Sequence, residues 1–220
     1  MFKNSFYGVC AAAALLFAAP AHAILIDNFD SGDDTVTTIG ADSTTATNPG
    51  DAIGNQRRIG LSAGGGGSVI AVSGGTLTLG SATAPTSGFV GWDSLGGVDL
   101  TGGGSSIGIL TEIIAIDVGD VSLGFTVTGT TVGDSAELTL NDLPQGLAFF
   151  DFALFTGTNP LAALQSADSI LLTIVGSTNT SDLQLDFVDT RDVPEPAALG
   201  LLGLGLAGLG FANHRRRRAA

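Results

Sequence analysis

Side chains with reactive chemistry are nearly absent from the central part of this 220-residue chain. Between Ile24 and Asp192 there is no cysteine, histidine, lysine, tyrosine or methionine. Cys10, Lys3, Tyr7 and both histidines lie in the terminal segments. The central region therefore excludes zinc and haem sites built from Cys or His. It also excludes disulfides, Ser-His-Asp or Cys-His catalytic groups and a Schiff-base lysine.

Positive charge is scarce in the same region. It holds 20 acidic residues against three basic ones, Arg57, Arg58 and Arg191, which gives it a formal charge of −17, more negative than the −13 of the whole chain. Nucleic acid binding needs a cationic surface, and this region has none. We therefore expect no nucleic acid partner, and divalent cations suit such a surface better.

Short apolar runs separated by Gly, Ser, Thr, Asn and Asp fill the central region instead. Several alternate strictly between apolar and polar residues, as in Thr76-Leu77-Thr78-Leu79, which is typical of half-buried strands. One segment, 159–168, suggests a helical turn. Many short strands with glycine-rich turns predict an all-β domain at 24–192, an antiparallel β-sandwich resembling a jelly roll. The predicted strands are 68–74, 76–80, 88–93, 110–117, 121–129, 136–140, 147–155, 169–175 and 182–189.

The first 23 residues have the parts of a secretory signal peptide. Lys3 supplies a short positive region, an apolar run follows, and Ala21-His22-Ala23 forms a small-x-small cleavage site. We expect signal peptidase to cut after Ala23. Cys10 lies inside the apolar run rather than at its end, which argues against a lipid-attachment cysteine.

The last 28 residues, 193–220, combine three features in order: Val193-Pro194-Glu195-Pro196, an apolar run rich in Gly and Leu, and four consecutive arginines. The run predicts a single transmembrane helix at 197–213, but its uncharged part of 16 residues falls short of the roughly 20 that span a bilayer. It would be a marginal anchor. The arginine cluster should stay on the cytoplasmic side; its members are Arg215, Arg216, Arg217 and Arg218.

These three ordered parts resemble the PEP-CTERM sorting tag of exported proteins in Gram-negative bacteria, which often make exopolysaccharide. The resemblance implies recognition by an exosortase, a membrane-embedded protease, and cleavage near the Pro-Glu-Pro. Pro194 and Pro196 each disfavour helix in the residue before them, so Glu195 is expected to be extended, as a protease substrate should be. The precursor would then be held transiently at the inner membrane and released to the cell surface or the extracellular matrix.

Two neighbouring residues are candidates for ligand binding. Trp92, the only tryptophan, could stack on a sugar ring, and Asp93 could accept hydrogen bonds from sugar hydroxyls. The alternative is that Trp92 belongs to the core of the sandwich, which is the more common place for a single tryptophan in such a fold.

Carboxylates near the two ends of the domain are candidates for a metal site. If the first and last strands pair, these groups approach one another, and calcium prefers such oxygen ligands. The alternative is a solvated acidic face, and we expect no other cofactor. The candidate calcium ligands are Asp27, Asp30, Asp186 and Asp189. Glu112 and Glu137 are the only glutamates of the region; a glycosidase needs two carboxylates at a set separation, but with eighteen aspartates also present the sequence singles out no pair.

We therefore expect a non-enzymatic surface or matrix protein, sorted by its C-terminal tag and associated with exopolysaccharide or the envelope. A carbohydrate-binding module with a sugar site near Trp92 is the alternative. A secreted hydrolase that uses only carboxylates is a third, weaker one.

Overall fold

The computed structural model describes residues 23–81, 83–117, 121–178 and 182–192. These residues form thirteen strands and one short α-helix, α1 (Pro160–Gln165). The strands are β1 (Leu25–Asp27), β2 (Asp34–Val36), β3 (Asp42–Ala46), β4 (Gln56–Ala63), β5 (Val69–Ser73), β6 (Thr76–Gly80), β7 (Ser87–Trp92), β8 (Ser106–Ile116), β9 (Val121–Gly129), β10 (Ser135–Leu140), β11 (Gly146–Asp151), β12 (Ala167–Gly176) and β13 (Leu183–Asp192).

The strands form two sheets. The seven-stranded sheet has the order β11-β8-β13-β6-β5-β2, with β1 also paired to β13. The six-stranded sheet has the order β10-β9-β12-β7-β4-β3. Every strand pair is antiparallel, and the chain crosses repeatedly between the sheets. The predicted antiparallel β-sandwich is confirmed.

The core lies between the two sheets and follows from the alternation of side chains along each strand. In β12, Ile170, Leu172 and Ile174 are fully buried, whereas Leu171 and Thr173 point outward and are half-buried. Aromatic rings connect the two sheets. Phe125 of the six-stranded sheet and Phe150 of the seven-stranded sheet make an edge-to-face contact, with ring centroids 4.8 Å apart. Such a contact favours the packing beyond the apolar area that it buries.

All nine predicted strands are present, some with shifted ends. The run 147–155 ends as a strand at Asp151, because the Asp151 carboxylate accepts a hydrogen bond from the Ala153 amide at 2.8 Å and begins a short 3-10 turn. The predicted helical turn is α1. Four strands were not predicted, β1 to β4, because three of them are only three to five residues long and β4 begins with the polar Gln56-Arg57-Arg58.

The segment Ala23–Asp192 is one compact unit. Apart from Ala23, the predicted signal peptide at 1–23 lies outside the described residues, as does the predicted transmembrane helix at 197–213. In the part of the chain that is described, no helix is long and apolar enough to cross a membrane.

Candidate functional site

The outer face of the six-stranded sheet contains two rows of residues that run across all six strands. One row is Thr44, Arg58, Gly91, Leu171, Thr126 and Glu137, and the next is Asp42, Gly60, Phe89, Thr173, Gly124 and Thr139. Apart from Leu171 and Phe89, these rows hold glycine, threonine and charged residues. The face is therefore mainly polar.

Glycines leave room for larger neighbouring side chains on this face. A Cβ on Gly60 would come within 2.4 Å of the Phe89 ring, so the ring occupies the space above that glycine. The Arg58 guanidinium lies above Gly91 in the same way, 3.3 Å from where a Cβ would be. An aromatic ring and a guanidinium thus lie next to each other on this face, each in the space that a glycine leaves open.

Arg58 is fixed by partners on both sides. Its Nε donates to Asp93 Oδ2 at 3.2 Å, and its Nη1 lies 3.5 Å from Asp42 Oδ2. Its Cζ is 4.9 Å from the centroid of the Phe89 ring, within cation–π range. The Arg58 side chain is 33% exposed and those of Asp42 and Asp93 more than half, so all three remain accessible to a ligand. We call Asp42, Arg58, Phe89 and Asp93 the Arg58 face.

The Arg58 face is an open surface rather than a deep pocket. The concavity beside it, lined in part by Thr44, Gln56 and Ser94, measures about 40 Å³. This volume is too small for a sugar ring, since small-molecule pockets measure several hundred Å³. A ligand would lie across the face and contact the ring, the guanidinium and the free carboxylate oxygens.

A different polar cluster lies inside the sandwich, directly below this face. The Asp27 carboxylate is fully buried and accepts hydrogen bonds from Arg57 Nη1 at 3.0 and 3.1 Å and from Trp92 Nε1 at 2.9 Å. It also accepts from the Phe29 amide at 2.8 Å. Because Asp27 belongs to β1 and the two donors to β4 and β7, the cluster joins the two sheets.

Arg57 completes the cluster. Its Nη2 donates to the carbonyls of Ser31 at 2.8 Å and Gly32 at 2.6 Å, and its Cζ lies 5.6 Å from the Phe29 ring centroid. Burial raises the pKa of the Asp27 carboxyl, while the Arg57 guanidinium and the hydrogen bonds from Phe29 and Trp92 oppose that shift. The group is closed to solvent, so it serves the fold rather than a substrate.

The interpretation of Trp92 as a sugar platform is therefore wrong. The indole is fully buried, and its N–H is used by Asp27, so the alternative of a core tryptophan holds. Its neighbour Asp93 is exposed and belongs to the Arg58 face. The alternation of Phe89-Val90-Gly91-Trp92 could have predicted this, because it places Phe89 and Gly91 on one face of the strand and Trp92 on the other.

The calcium prediction is right that the first and last strands pair, and wrong that their carboxylates form a metal site. β1 does pair with β13, with Leu25 opposite Asp189. However, the Asp27 carboxylate is taken by Arg57, and Asp30 accepts from the Asn28 side chain at 2.8 Å. Among the residues for which positions are given, no group of three or more His, Cys, Asp or Glu side chains could hold a metal ion, so Asp27, Asp30, Asp186 and Asp189 do not form one.

The two glutamates do not form a glycosidase pair. Glu112 is on β8 in the seven-stranded sheet, and Glu137 is on β10 in the six-stranded sheet. Each alternates with buried neighbours along its strand, so the two side chains lie on opposite outer faces of the sandwich. The separation that a carboxylate pair needs is only about 5 to 10 Å.

A second concavity, of about 430 Å³, lies on the seven-stranded sheet where β6 and β8 end and β13 begins. Its polar lining includes Thr78, Gln184, Asp117 and Asp182. The Asp182 amide donates to Asp117 Oδ2 at 3.2 Å, and the Asp182 carboxylate accepts from Ser81. No aromatic side chain and no cation lines it among the described residues, so it offers less for recognition than the Arg58 face does.

The predicted sorting residues lie outside the described residues. They are Val193, Pro194, Glu195 and Pro196 of the tag and Arg215, Arg216, Arg217 and Arg218 of the terminal cluster. Of the predicted signal-cleavage residues, Ala21 also lies outside them, and Ala23 is exposed at the start of the compact unit.

By its fold this chain is an antiparallel β-sandwich, and several solved structures have a similar arrangement. The family 11 carbohydrate-binding module from Clostridium thermocellum, in complex with a β-1,3-1,4-mixed-linked tetrasaccharide, is 10% identical with a TM-score of 0.44 over 80% of this chain and 99% of that one. The solution structure of CtCBM11 is 12% identical to this chain, with a TM-score of 0.46, and the match covers 81% of this chain and 100% of that one. The structure of PfGH50B is 11% identical, with a TM-score of 0.43, and the match covers 62% of this chain but only 22% of that one.

No curated protein matches the chain by sequence. A family model does match its end: residues 192–217 are a PEP-CTERM protein-sorting motif. The resemblance seen in the sequence is thereby confirmed. The chain therefore carries a PEP-CTERM sorting motif, which implies export and sorting to the cell surface or the extracellular space.

Proposed function

We propose that this exported β-sandwich is a non-enzymatic surface or matrix protein that associates with a polysaccharide, and that the Arg58 face is the contact. The observation that carries the proposal is an aromatic ring, Phe89, in contact with a guanidinium that two accessible carboxylates hold in place. A ring face suits the apolar side of a sugar, and the charged groups suit its hydroxyls.

Binding without catalysis is supported by the chemistry available. The domain has none of the histidine, cysteine, lysine or tyrosine that most catalytic groups use. A glycosidase acid needs a raised pKa and access to substrate. Asp27, whose pKa is raised, is fully buried and paired with Arg57. The two glutamates lie on opposite faces.

The charge of the domain restricts the class of polysaccharide. With a formal charge of −17 over Ile24 to Asp192, the domain as a whole repels polyanions. Arg58 is the one cation of the Arg58 face, and Asp42 and Asp93 already compensate it. We therefore propose a neutral or amino-sugar polysaccharide rather than a uronic acid polymer.

The test is binding of the exported, processed protein to a panel of neutral, cationic and anionic polysaccharides by affinity electrophoresis. Phe89→Ala should weaken binding about 5- to 30-fold, since an aromatic contact of this kind contributes about 1–2 kcal/mol. The matched control is Gln184→Ala, which removes a polar side chain from the other sheet. Thermal melting of both variants checks that the fold is intact.

Two results would contradict the proposal. One is that no polysaccharide of the panel retards the wild-type protein. The other is that Gln184→Ala weakens binding and Phe89→Ala does not, which would place the contact at the concavity on the seven-stranded sheet.

A further inference from the structure

The beginning and the end of the domain meet at one place. Ile24 donates its backbone N–H to Thr190 Oγ1 at 2.8 Å, and Thr190 donates its own backbone N–H to the Ile24 carbonyl at 2.9 Å. β1 continues this pairing, with Leu25 opposite Asp189. Thr190 is fully buried. We call the contact of residues 24–27 with β13 the terminal clasp.

The end of β13 lies inside the seven-stranded sheet and not at its edge. On the side away from β1, its last residues pair with β8, Arg191 opposite Gly108 and Asp192 opposite Ser106. β13 is therefore held on both sides almost to its last residue. Without the clasp, this end of β13 would be held on one side only, by β8, and would open more often.

The sorting motif begins where β13 ends. The family match starts at residue 192, and Pro194 follows after one intervening residue. The predicted signal-peptidase site after Ala23 directly precedes Ile24. Both processing points are thus joined to the terminal clasp without a linker.

A protease needs several substrate residues in an extended, unpaired state. Backbone groups already bonded within a sheet are not available to it until that part of the sheet opens locally. When opening and closing are fast, the rate of cleavage follows the population of the open form. The residues on the amino-terminal side of the Pro-Glu-Pro are those held by the terminal clasp and by β8.

We propose that the terminal clasp regulates removal of the sorting tag. While residues 24–27 are docked on β13, the residues that lead into the motif are kept in the sheet and are withheld from the exosortase. The tag is removed when this end of β13 is open, either before β1 docks or after it has detached. The proposal concerns maturation and does not depend on whether the Arg58 face binds a polysaccharide.

The test follows the full-length precursor in cells that contain the exosortase, with a pulse-chase in which mass spectrometry measures precursor and processed protein. A four-residue Gly-Ser insertion between Asp192 and Val193 leaves every contact of the clasp intact and should accelerate tag removal. Thr190→Val keeps the shape of the side chain and removes the acceptor of the Ile24 N–H and of a longer, 3.4 Å hydrogen bond from Ser106 Oγ. It should accelerate tag removal at least about fivefold, the factor expected from the loss of one hydrogen bond.

Thr173→Val is the matched control, because it makes the same chemical change on the outer face of the other sheet. It should leave the rate unchanged. In the insertion variant, adding Thr190→Val should not accelerate tag removal further, since the inserted Gly-Ser residues already separate the motif from β13. Tag removal that is unchanged or slower in the insertion variant overturns the proposal, whatever Thr190→Val does. Equal rates for Thr190→Val and Thr173→Val overturn the role of the clasp.

Discussion

Replacing Asp27 by Asn tests the central structural claim, that the buried cluster joins the two sheets. The change keeps the shape of the side chain and removes its charge. The Asp27 carboxylate receives four hydrogen bonds, two of them from Arg57 Nη1. An amide nitrogen in place of one oxygen cannot accept from Arg57 or Trp92, and the guanidinium is left buried at 1% exposure without a counter-charge.

Leaving one partner of a buried ion pair unpaired costs about 3–5 kcal/mol. The whole domain is expected to be stable by only about 5–15 kcal/mol, so the loss is a large part of the total. With a urea m-value of about 2 kcal/mol/M, the midpoint should fall by about 2 M. Trp92 is the only tryptophan and is itself in the cluster, so its fluorescence reports the transition directly.

The matched control is Asp93→Asn, one residue from Trp92. Asp93 pairs with Arg58 at 3.2 Å but is half exposed, so the loss should stay under about 1 kcal/mol. The double variant Asp27→Leu/Arg57→Met removes both charges, and it should recover only part of the stability lost by Asp27→Asn, because Trp92 Nε1 and the Phe29 amide still lose their acceptor. A midpoint for Asp27→Asn that falls no further than that of Asp93→Asn would refute the reasoning.

Three further predictions concern pH, packing and calcium. The Asp99 carboxyl is penalised by burial, but hydrogen bonds from Thr101 and from the amides of Gly103 and Gly102 outweigh this and hold its pKa below the usual value. The ionised Asp99 carboxylate stabilises the fold at pH values above about 4, the pKa of an aspartate in the unfolded chain, and this stabilisation is lost as the pH falls below that value. The difference in melting temperature between wild type and Asp99→Asn should therefore shrink below pH 4. Gly60→Ala should cost about 1–3 kcal/mol in urea unfolding and weaken polysaccharide binding about as much as Phe89→Ala does, because the new methyl displaces the Phe89 ring; unchanged binding would contradict a contact through the ring. Calcium or a chelator should leave the melting temperature unchanged, because the Asp27 carboxylate is already used by Arg57; a rise with calcium would show a site elsewhere.

Much of the architecture could be predicted from local patterns. Period-two alternation with glycine-rich turns identified nine strands and the sandwich class, because a strand buried on one face records that burial in its own residues. β1 to β3 were missed because three to five residues are too few for a period to show. β4 was missed because its inward position 57 holds an arginine, which is polar in sequence yet buried in the fold.

The terminal segments and the candidate site differ in how far sequence alone could reach. The sorting tag is a linear signal, read by other proteins as consecutive residues, so its order of Pro-Glu-Pro, apolar run and arginines was sufficient to identify it. The roles of Arg57 and Arg58, neighbours in sequence, were not predictable. Arg57 faces inward and pairs with Asp27, 30 residues away, whereas Arg58 faces outward between Asp42 and Asp93.

Sequence by itself determined the fold class, the route of export and the chemistry that the domain lacks, because each depends on composition or on residues that are close along the chain. Tertiary structure decided that Trp92 is a core residue, that Phe89 contacts Arg58 on the outer face, and that Ile24 meets Thr190 across the sheet. These outcomes depend on strand register and on which strands become neighbours. Both are set by the packing of the whole sandwich rather than by any single segment.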